Sequence, residues 1–480
     1  MAMNRRDALK TIGGLAGAAT LGKFLPGCTS DDGPVGITTY VYLMLENRTY
    51  DHMFGARKLI ESKPGDGLVA TMSNKDSAGT EVKVYEAPSA ELCVADPPHG
   101  WDASHLQYNA GANDGFITQY EASHSMMGIH DTMQYLTRTH VPVSWALADQ
   151  YTTCDRWFAS VMGPTLPNRA YWHCATSFGL KVNNEVLTTF GSVPVPTIYN
   201  RLVDKNVDWA YYSGPLAVAS LLGNAGPYML DLGAPSSVGT GRIRKFSAYA
   251  DMPEDPNGQF FKDAKAGKLP QVCYIDPFFG ENDDHPPLHP IMAQALIAAV
   301  YNALAQSPQW KNCLLVITYD EHGGFFDHVP PPTGPDERPE FQQRGFRVPT
   351  MVIGPYVKQS YVSSVEYDHT SALKHLQTAF SLEPLNERMN AANDLTDCID
   401  MERLAVGDWA KPIELPKIDL AQYLEQTSKP ECKGSAFREV DPITEWANEN
   451  TGTALDSRDE YDSETYHRGI VEALRQQQRR

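Results

Sequence analysis

The stretch NCLLVITYDEHGG, residues 312–324, decides the fold and points to the functional site. Its apolar part, Leu314–Tyr319, has the length and the β-branched content of a fully buried strand. Asp320, Glu321 and His322 follow directly, and then two glycines. Because adjacent carboxylates repel each other where water is excluded, the end of this strand predicts a bound cation. The glycines predict open space in front of it for a ligand.

A second strand with the same ending lies far away in the sequence. The run Ile37–Leu45 is rich in β-branched and aromatic residues, and Glu46 and Asn47 follow it. Further strand candidates are LPQVCYIDP, VDWAYYSGP and RVPTMVIGPYV, and helical patterns are clearest in HPIMAQALIAAVYNALAQS and HTSALKHLQTAFSL. This alternation predicts an α/β fold with a mostly parallel central sheet covered on both faces. Ligands bind beyond the carboxyl ends of such strands, so we expect the two acidic pairs to converge.

The four side chains at these strand ends are candidate metal ligands. Glu46, Asn47, Asp320 and Glu321 offer oxygen atoms, which suit divalent cations such as Mg²⁺, Ca²⁺ or Mn²⁺, and zinc also accepts carboxylates. The alternative is that the first pair forms a turn and the second pairs with arginines. Both pairs together in an acidic chain favour a divalent metal, whose identity stays open.

The loop GPTLPNR, residues 163–169, presents a candidate nucleophile. Thr165 stands between two prolines that stiffen the loop, ahead of a helix predicted over Arg169–Thr176. A helix amino terminus favours an approaching phosphate, and a bound metal would activate the hydroxyl. Asn168 could donate to a phosphoryl oxygen. The alternative for both residues is that they cap the helix.

Two histidines in proline-flanked loops are candidates for assisting a leaving group. His99 lies in DPPHGWDASH, and His285 lies in GENDDHPPLHP beside Asp284. An imidazolium can stabilise or protonate a departing oxygen. The alternative is that each is a surface histidine without a role. We include Asp284 and His322 as candidate substrate-binding residues, and the other neighbours of the site that we consider are His328 and His369.

The amino-terminal residues predict an export signal. Arg5 and Arg6 precede an Ala/Gly/Leu stretch within residues 1–27, which is similar to a twin-arginine signal. The LPGC sequence that ends at Cys28 resembles a lipoprotein cleavage box. We therefore expect a periplasmic, membrane-anchored or secreted protein, with residues 28–36 as a tether. The alternative is an ordinary signal without lipidation of Cys28, and oligomeric state stays open.

Charge and cysteine content bound the remaining choices. A formal net charge of −19 argues against nucleic acid as a partner. Cys273 and Cys313 lie in apolar runs and predict buried thiols, whereas Cys398 and Cys432 form the pair most readily bridged. Residues 37–400 form the predicted catalytic domain. Residues 401–480 are polar and predict a helical or partly disordered extension, with an amphipathic segment at Tyr466–Gln478.

Seven motifs occur in one order and together resemble the bacterial phosphoesterase family, which contains phospholipases C and acid phosphatases. They are ENRTYDHMFG, PHGWDASH, GPTLPNR, NDDHPP, YDEHGGFFDHVPPP, RVPTMVIGPYV and YDHTSALKHLQTAF. The family is similar to the alkaline phosphatase and sulfatase superfamily, which implies an α/β/α sandwich. By this resemblance the metal ligands are the four oxygen donors named above. Thr165 is then the nucleophile that also touches the metal, and His99 and His285 lie near the phosphate.

These observations predict a metal-dependent phosphoesterase with a threonine nucleophile. The expected substrate is a phospholipid head group cleaved in the manner of a phospholipase C. One alternative is an acid phosphomonoesterase of broad specificity. An alternative of another class is a non-catalytic, metal-binding surface lipoprotein on the same scaffold.

Overall fold

The computed structural model describes residues 36–89, 92–183, 196–213, 218–221, 243–245, 259–279 and 282–418. The predicted export signal, Cys28 and nearly all of the tether lie outside these residues, as do Cys432 and the amphipathic segment Tyr466–Gln478. No helix in the described part of the chain is long and apolar enough to cross a membrane.

The strands, in chain order, are β1 (Thr39–Leu45), β2 (Ser73–Lys75), β3 (Glu81–Lys83), β4 (Tyr85–Glu86), β5 (Gln134–Tyr135), β6 (Thr152–Cys154), β7 (Trp157–Phe158), β8 (Trp209–Ser213), β9 (Ile243–Lys245), β10 (Val272–Ile275), β11 (Cys313–Tyr319), β12 (Met351–Ile353), β13 (Tyr361–Ser363) and β14 (Tyr367–Asp368). The α-helices are α1 (Ala56–Glu61), α2 (Trp101–Tyr108), α3 (Phe116–His124), α4 (Pro142–Gln150), α5 (Thr165–Cys174), α6 (Ile198–Asp204), α7 (Gln259–Lys265), α8 (Ile291–Ala305), α9 (His369–Phe380), α10 (Glu387–Ala391) and α11 (Met401–Val406). A π-helical turn, Asp51–Gly55, precedes α1.

Eight strands form the central sheet in the order β13-β6-β12-β11-β1-β10-β8-β9. Only β12 runs antiparallel to its neighbours, so the predicted mostly parallel sheet is confirmed. In the centre Thr39 lies opposite Cys313 and Leu45 lies opposite Tyr319. Because β1 and β11 are therefore level, the residues that follow them emerge side by side at one edge of the sheet.

Helices cover both faces of the sheet, as the alternation of strands and helices predicts. Successive residues of β8 show the two faces, since neighbouring side chains on a strand point in opposite directions. The ring of Tyr211 lies 6.2 Å from that of Tyr199 on α6. The ring of Tyr212 lies 5.2 Å from that of Phe260 on α7. The sheet is thus the middle layer of an α/β/α arrangement.

The packed unit continues past residue 400, the expected end of the catalytic domain. Trp310 Nε1 donates to the carbonyl of Ala410 at 2.9 Å, and the backbone N–H of Ile413 donates to the Tyr301 hydroxyl at 2.8 Å. Leu404 and Leu415 are buried. Residues 401–418 therefore belong to the folded unit, because their apolar side chains complete its core.

The described cysteines are mostly free and buried. Cys273 and Cys313 lie inside β10 and β11, as predicted. The predicted bridge from Cys398 to Cys432 is wrong, because Cys398 is a free thiol whose Sγ lies 3.9 Å from that of Cys154. Cys93 is disulfide-bonded, which the sequence did not indicate.

Candidate active site

The ends of β1 and β11 meet as predicted, and the glycines hold them together. The backbone N–H of Asp320 donates to the carbonyl of Leu45 at 3.1 Å, and the N–H of Asn47 donates to Asp320 Oδ1 at 3.4 Å. Gly323 has φ +59°, and a Cβ there would lie 2.4 Å from the carbonyl oxygen of Asn47. At Gly324 a Cβ would lie 2.7 Å from Pro97 and Pro98, in the loop that carries His99. The expectation of open space is therefore wrong: these glycines let two backbone segments approach closely.

A buried arginine that sequence reasoning missed joins the two strand ends. The guanidinium of Arg169 lies 3.1 Å from Glu46 Oε1 and 3.1 Å from Asp320 Oδ2. It also lies 3.2 Å from Asp276 Oδ1, at the end of β10. Ion pairing with an arginine, the alternative considered for Asp320 and Glu321, thus holds for Asp320, and Glu46 shares the same partner. The signal was available, since Arg169 stands four residues after Thr165 and on the same helix face.

Two oxygen atoms at this edge lack the partners that burial demands. Asn47 Oδ1 and Glu321 Oε2 are buried and have no hydrogen-bond donor within the part of the chain that the structure describes. Burial raises the pKa of Glu321 well above its usual value, and the charges of Asp320 and Glu46 raise it further. Burial also raises the pKa of Asp320, although Arg169 opposes this. A divalent cation bound here would coordinate the oxygens that lack donors. It would also stabilise the charged form of the buried carboxylates.

The residues present therefore fit the predicted metal. Asn47, Asp320 and Glu321 would hold it, with Glu46 and Thr165 beside them. Within the described ranges, three or more ligand atoms of His, Cys, Asp or Glu come within 4.8 Å of one another at three places. The acids at the strand ends are not one of these groups, and the one nearest the site is Asp96–His99–His285.

Thr165 reaches the site from the first turn of α5. The helix begins at Thr165 and ends at Cys174, earlier at both ends than the predicted Arg169–Thr176. Thr165 Oγ1 donates to Glu321 Oε1 at 3.2 Å, and its side chain is almost fully buried. The hydroxyl is thus bonded to one of the predicted metal ligands. This is the contact that links the threonine to the acids at the sheet edge.

Asn168 is occupied by the loop in front of α5. Its amide group donates to the carbonyls of Val161, Gly163 and Pro164, at 3.2, 2.9 and 3.1 Å. Its Oδ1 accepts from the backbone N–H of Val161 at 2.8 Å. Because these bonds engage both ends of the buried amide, the structure assigns Asn168 to fixing this loop rather than to capping α5, whose amino terminus has no side-chain cap hydrogen bond. It does not support the predicted contact with substrate.

The two predicted histidines meet at the mouth of the site. The rings of His99 and His285 are 5.5 Å apart, and His99 Nε2 lies 3.3 Å from Asn47 Nδ2 and 3.9 Å from Glu321 Oε1. The Nδ1 atoms of the two rings lie 2.7 Å and 2.6 Å from the carbonyls of Pro97 and Pro286. Since a carbonyl only accepts, each Nδ1 donates a hydrogen bond to it, and the Nε2 of His99 is the ring atom that faces Asn47 and Glu321.

The other two candidate substrate-binding residues are engaged elsewhere. His322 is buried, and its Nε2 lies 2.7 Å from Gln107 Oε1. Asp284 accepts from the Tyr319 hydroxyl at 2.7 Å and pairs with Arg48 at 3.4 Å. Burial raises the pKa of Asp284 to about 6. The structure therefore gives both residues a supporting role instead of contact with substrate.

His369, a predicted neighbour of the site, is hydrogen-bonded to the backbone of Asp320. Its Nε2 donates to the carbonyl of Asp320 at 2.6 Å, and Trp157 Nε1 donates to its Nδ1 at 3.3 Å. Burial lowers the pKa of His369 to about 4, so the ring is neutral at physiological pH. The other one, His328, lies in a separate cluster with Asp51.

A cavity opens in front of these residues. It measures about 580 Å³. The residues that line it include His99, Ala103, Ser123, His124, Pro164 and Asn183. The wall of this cavity therefore includes the imidazole of His99 and Pro164, the residue before Thr165.

The Phosphoesterase family model matches residues 37–383 of this chain. The chain belongs to the phosphoesterase family. The family predicted from the motifs is thus confirmed, and the protein is a hydrolase that acts on phosphate esters.

Named relatives come from plants and bacteria. Non-specific phospholipase C6 of Arabidopsis thaliana is 31% identical over 379 residues, which cover 72% of this chain and 68% of the relative. Phospholipase C A of Mycobacterium tuberculosis is 29% identical over 441 residues, which cover 80% and 82%. Among solved structures, an alkaline phosphatase superfamily protein from Vibrio parahaemolyticus is 11% identical, with a TM-score of 0.38 over 82% of this chain and 79% of that chain.

Proposed function

We propose that this phosphoesterase hydrolyses its substrate through Thr165, with the reaction depending on one divalent metal ion. The observation that carries the proposal is the hydrogen bond from Thr165 Oγ1 to Glu321 at 3.2 Å, beside buried oxygens that lack donors. A divalent metal, when bound here, would neutralise the acids and lower the pKa of the hydroxyl. The bond between Thr165 and Glu321, together with the bond from Asn47 to Asp320, supports this proposal.

The chain's own residues account for the movement of bonds and protons. Thr165 Oγ1 forms a bond to phosphorus while the bond to the leaving oxygen breaks, giving a phosphothreonine. Glu321 Oε1, which accepts the hydroxyl hydrogen bond, is the atom positioned to take the proton. A protonated Nε2 of His99 or His285 donates its proton to the leaving alcohol. Water then attacks the phosphothreonine in line and releases phosphate or a phosphomonoester.

The buried Arg169 positions this machinery. It bonds to Glu46 and Asp320 at the ends of two neighbouring strands, so it fixes the separation of the two ligand pairs. Asp276 is held in turn by the N–H of Val218 at 3.0 Å. Because three acids occupy the Arg169 guanidinium, we assign it to positioning rather than to the chemistry.

The substrate that we propose is the phosphodiester of a phospholipid head group, cleaved as a phospholipase C does. The names of the relatives from Arabidopsis thaliana and Mycobacterium tuberculosis favour this class. A phosphomonoesterase of broad specificity is the competing proposal, because the same threonine and acids would serve either ester.

Product analysis separates these substrates. Purified protein is incubated with phosphatidylcholine and, separately, with a simple aryl phosphomonoester, and products are identified by mass spectrometry. Release of diacylglycerol and phosphocholine is the expected result. Turnover of the monoester alone would favour the phosphatase, and no turnover of either with metal supplied would favour the non-catalytic alternative.

We also propose export through the twin-arginine route, with Cys28 as a lipid anchor. The pattern of Arg5 and Arg6 and the LPGC sequence support it. Replacing both arginines by lysine should leave the precursor in the cytoplasm. Undiminished export of that variant would contradict the proposal, and mass spectrometry of the mature amino terminus tests lipidation.

A further inference from the structure

Exposed apolar side chains cluster beside the active-site cavity. Met126 and Met127 are 52% and 70% exposed, Leu106 is 56% exposed and Val182 is 41% exposed. Four others in the described chain, Ile60, Val69, Val406 and Trp409, do not adjoin residues that line the cavity. Clustered exposed apolar side chains mark interaction surfaces more often than scattered ones do.

Four exposed apolar residues lie within three positions in sequence of a residue that lines the cavity: Leu106, Met126, Met127 and Val182. Met126 and Met127 directly follow Ser123–Ser125 at the end of α3, and Ser123 and His124 line the cavity. Val182 directly precedes Asn183, which also lines it. Leu106 lies three residues after the lining residue Ala103 on α2, and so on the same side of that helix. We call Leu106, Met126, Met127 and Val182 the apolar rim.

Hydrogen bonds to Glu121 hold the turn that carries the two methionines. Ser125 ends α3 with φ +50°, and the backbone N–H of Met126 donates to the carbonyl of Glu121 at 3.1 Å. The Glu121 carboxylate accepts from the N–H of Gly128 at 2.6 Å and from the N–H of Ser77 at 2.9 Å. Because the turn is held at both ends, the methionines point outward as part of the fold instead of packing inward.

We propose that the apolar rim docks the protein onto a zwitterionic phospholipid surface, so that a head group enters the cavity while its acyl chains stay in the lipid layer. This inference rests on the proposed phospholipase function. The rim lies beside the cavity that His99 and Pro164 line, so the acyl chains of a lipid whose head group occupied the cavity would leave the protein at the rim. Unbranched methionine side chains adapt to such a layer, and apolar side chains inserted at an interface supply binding energy.

Charge selects the kind of lipid surface. The chain carries a formal net charge of −19, so an anionic lipid surface would repel it. Phosphatidylcholine carries no net charge, and it presents both a phosphodiester and an apolar layer. The rim therefore fits a phosphatidylcholine surface better than an anionic one.

The test compares vesicle binding with turnover of a soluble ester. All arms use the full chain with Cys28→Ser, which removes any lipid anchor. Flotation with phosphatidylcholine vesicles is expected to show at least about tenfold weaker binding for Met126→Glu/Met127→Glu, because two apolar contacts become charged. Hydrolysis of the vesicles should fall in parallel, whereas a monomeric short-chain phosphodiester should be hydrolysed at the unchanged rate. Val406→Glu is the matched control, since Val406 is 77% exposed on α11, away from the cavity.

The outcomes separate the rim from the proposed function. Normal vesicle binding by the double variant and by Leu106→Gln would overturn the inference, as would stronger binding of the parent protein to anionic vesicles. If no phosphoester is hydrolysed, the proposed function fails, while flotation still decides the rim. Thermal unfolding of each variant confirms that it is folded before binding is compared.

Discussion

Two buried charged clusters in this protein differ in how completely their polar atoms are satisfied. The site cluster comprises Glu46, Asn47, Asp320, Glu321 and Arg169. The Arg347 cluster comprises Asp51, Asp327, His328 and Arg347, and it lies away from Thr165. Both combine several acids with one buried arginine, so composition alone does not distinguish them.

Every polar side-chain atom of the Arg347 cluster has a partner. Arg347 bonds to Asp51 at 3.1 Å and to Asp327 at 2.9 Å, and it donates to two backbone carbonyls. Asp51 also accepts from His328 Nδ1 at 2.6 Å. Ligand atoms of Asp51, Asp327 and His328 lie within 4.8 Å of one another, but Arg347 already supplies their positive charge. This cluster therefore stabilises the fold and leaves nothing for a ligand to satisfy.

The site cluster is incomplete by comparison. Arg169 compensates Glu46 and Asp320, whereas Asn47 Oδ1 and Glu321 Oε2 have no donor in the described chain. Between these two clusters, the difference therefore lies in the unsatisfied acceptors and not in the number of arginines. Changes in the two clusters should therefore have opposite effects on activity and on stability.

The largest expected effect is on Thr165. Valine has the shape of threonine but no hydroxyl, so Thr165→Val should lower kcat by several orders of magnitude, up to about 10⁶-fold if the step is covalent. Thr165→Ser keeps the oxygen and its bond to Glu321, and should retain much of the rate. Steady-state kinetics of both variants, with mass spectrometry of acid-quenched protein for phosphate on residues 163–169, provide the check. Normal turnover by the valine variant would make Thr165 a helix residue only.

A substitution in the Arg347 cluster should lower the stability of the protein and leave its activity nearly unchanged. Arg347→Met leaves Asp51 and Asp327 buried without their cation, so the free energy of unfolding should fall by about 3–5 kcal/mol. The rate per folded molecule should stay close to normal, because Arg347 does not contact the site. Urea unfolding and active-site titration measure the two quantities. A variant of normal stability and lost activity would erase the distinction between the clusters.

Glu321→Gln should show the reverse pattern. The substitution removes one carboxylate oxygen from the candidate ligand set, and it removes a buried negative charge that only a bound metal would neutralise. The affinity for divalent ions should therefore fall by about 100-fold or more. The free energy of unfolding of the chelated protein should be unchanged or higher, because a neutral amide is easier to bury. Isothermal titration with Mg²⁺, Ca²⁺, Mn²⁺ and Zn²⁺ and urea unfolding in chelator test this. Unaltered metal affinity would remove Glu321 from the ligand set.

Much of the fold was predictable because short-range patterns encode it. The apolar runs of β1 and β11, and the polar residues that end them, predict that Glu46 and Asp320 lie at one edge of the sheet. Parallel geometry then required them to meet. The rigid loop around Thr165 made this residue the candidate nucleophile, and that role stays a prediction.

The errors arose where long-range packing decides. Gly323 and Gly324 predicted open space, but the chain folds Asn47 and Pro97–Pro98 against them, which no local pattern indicates. Other errors concern partners distant in sequence, namely the pairing of cysteines and the residues bonded to Asp284 and His322. Arg169 illustrates this limit. Its position on the helix face of Thr165 could be predicted from the sequence, but its three acidic partners follow three different strands and could not. Asn168 is the exception, because its partners lie in the adjoining loop.

The smallest expected effect is a pH dependence confined to the Arg347 cluster. Burial alone would lower the pKa of His328, but the hydrogen bond and charge of Asp51 outweigh it and raise the pKa above 6.5. A raised histidine pKa means that its stabilising contribution is complete below pH 6.5 and is lost as the pH rises through the folded-state pKa. His328→Gln should therefore cost about 1.5–3 kcal/mol at pH 6, the value of a hydrogen bond to a charged group, and less at pH 9. Urea unfolding of both proteins at the two pH values measures the difference. An equal cost at both values would show that His328 is neutral in the fold, and that the Arg347 cluster draws its positive charge from Arg347 alone.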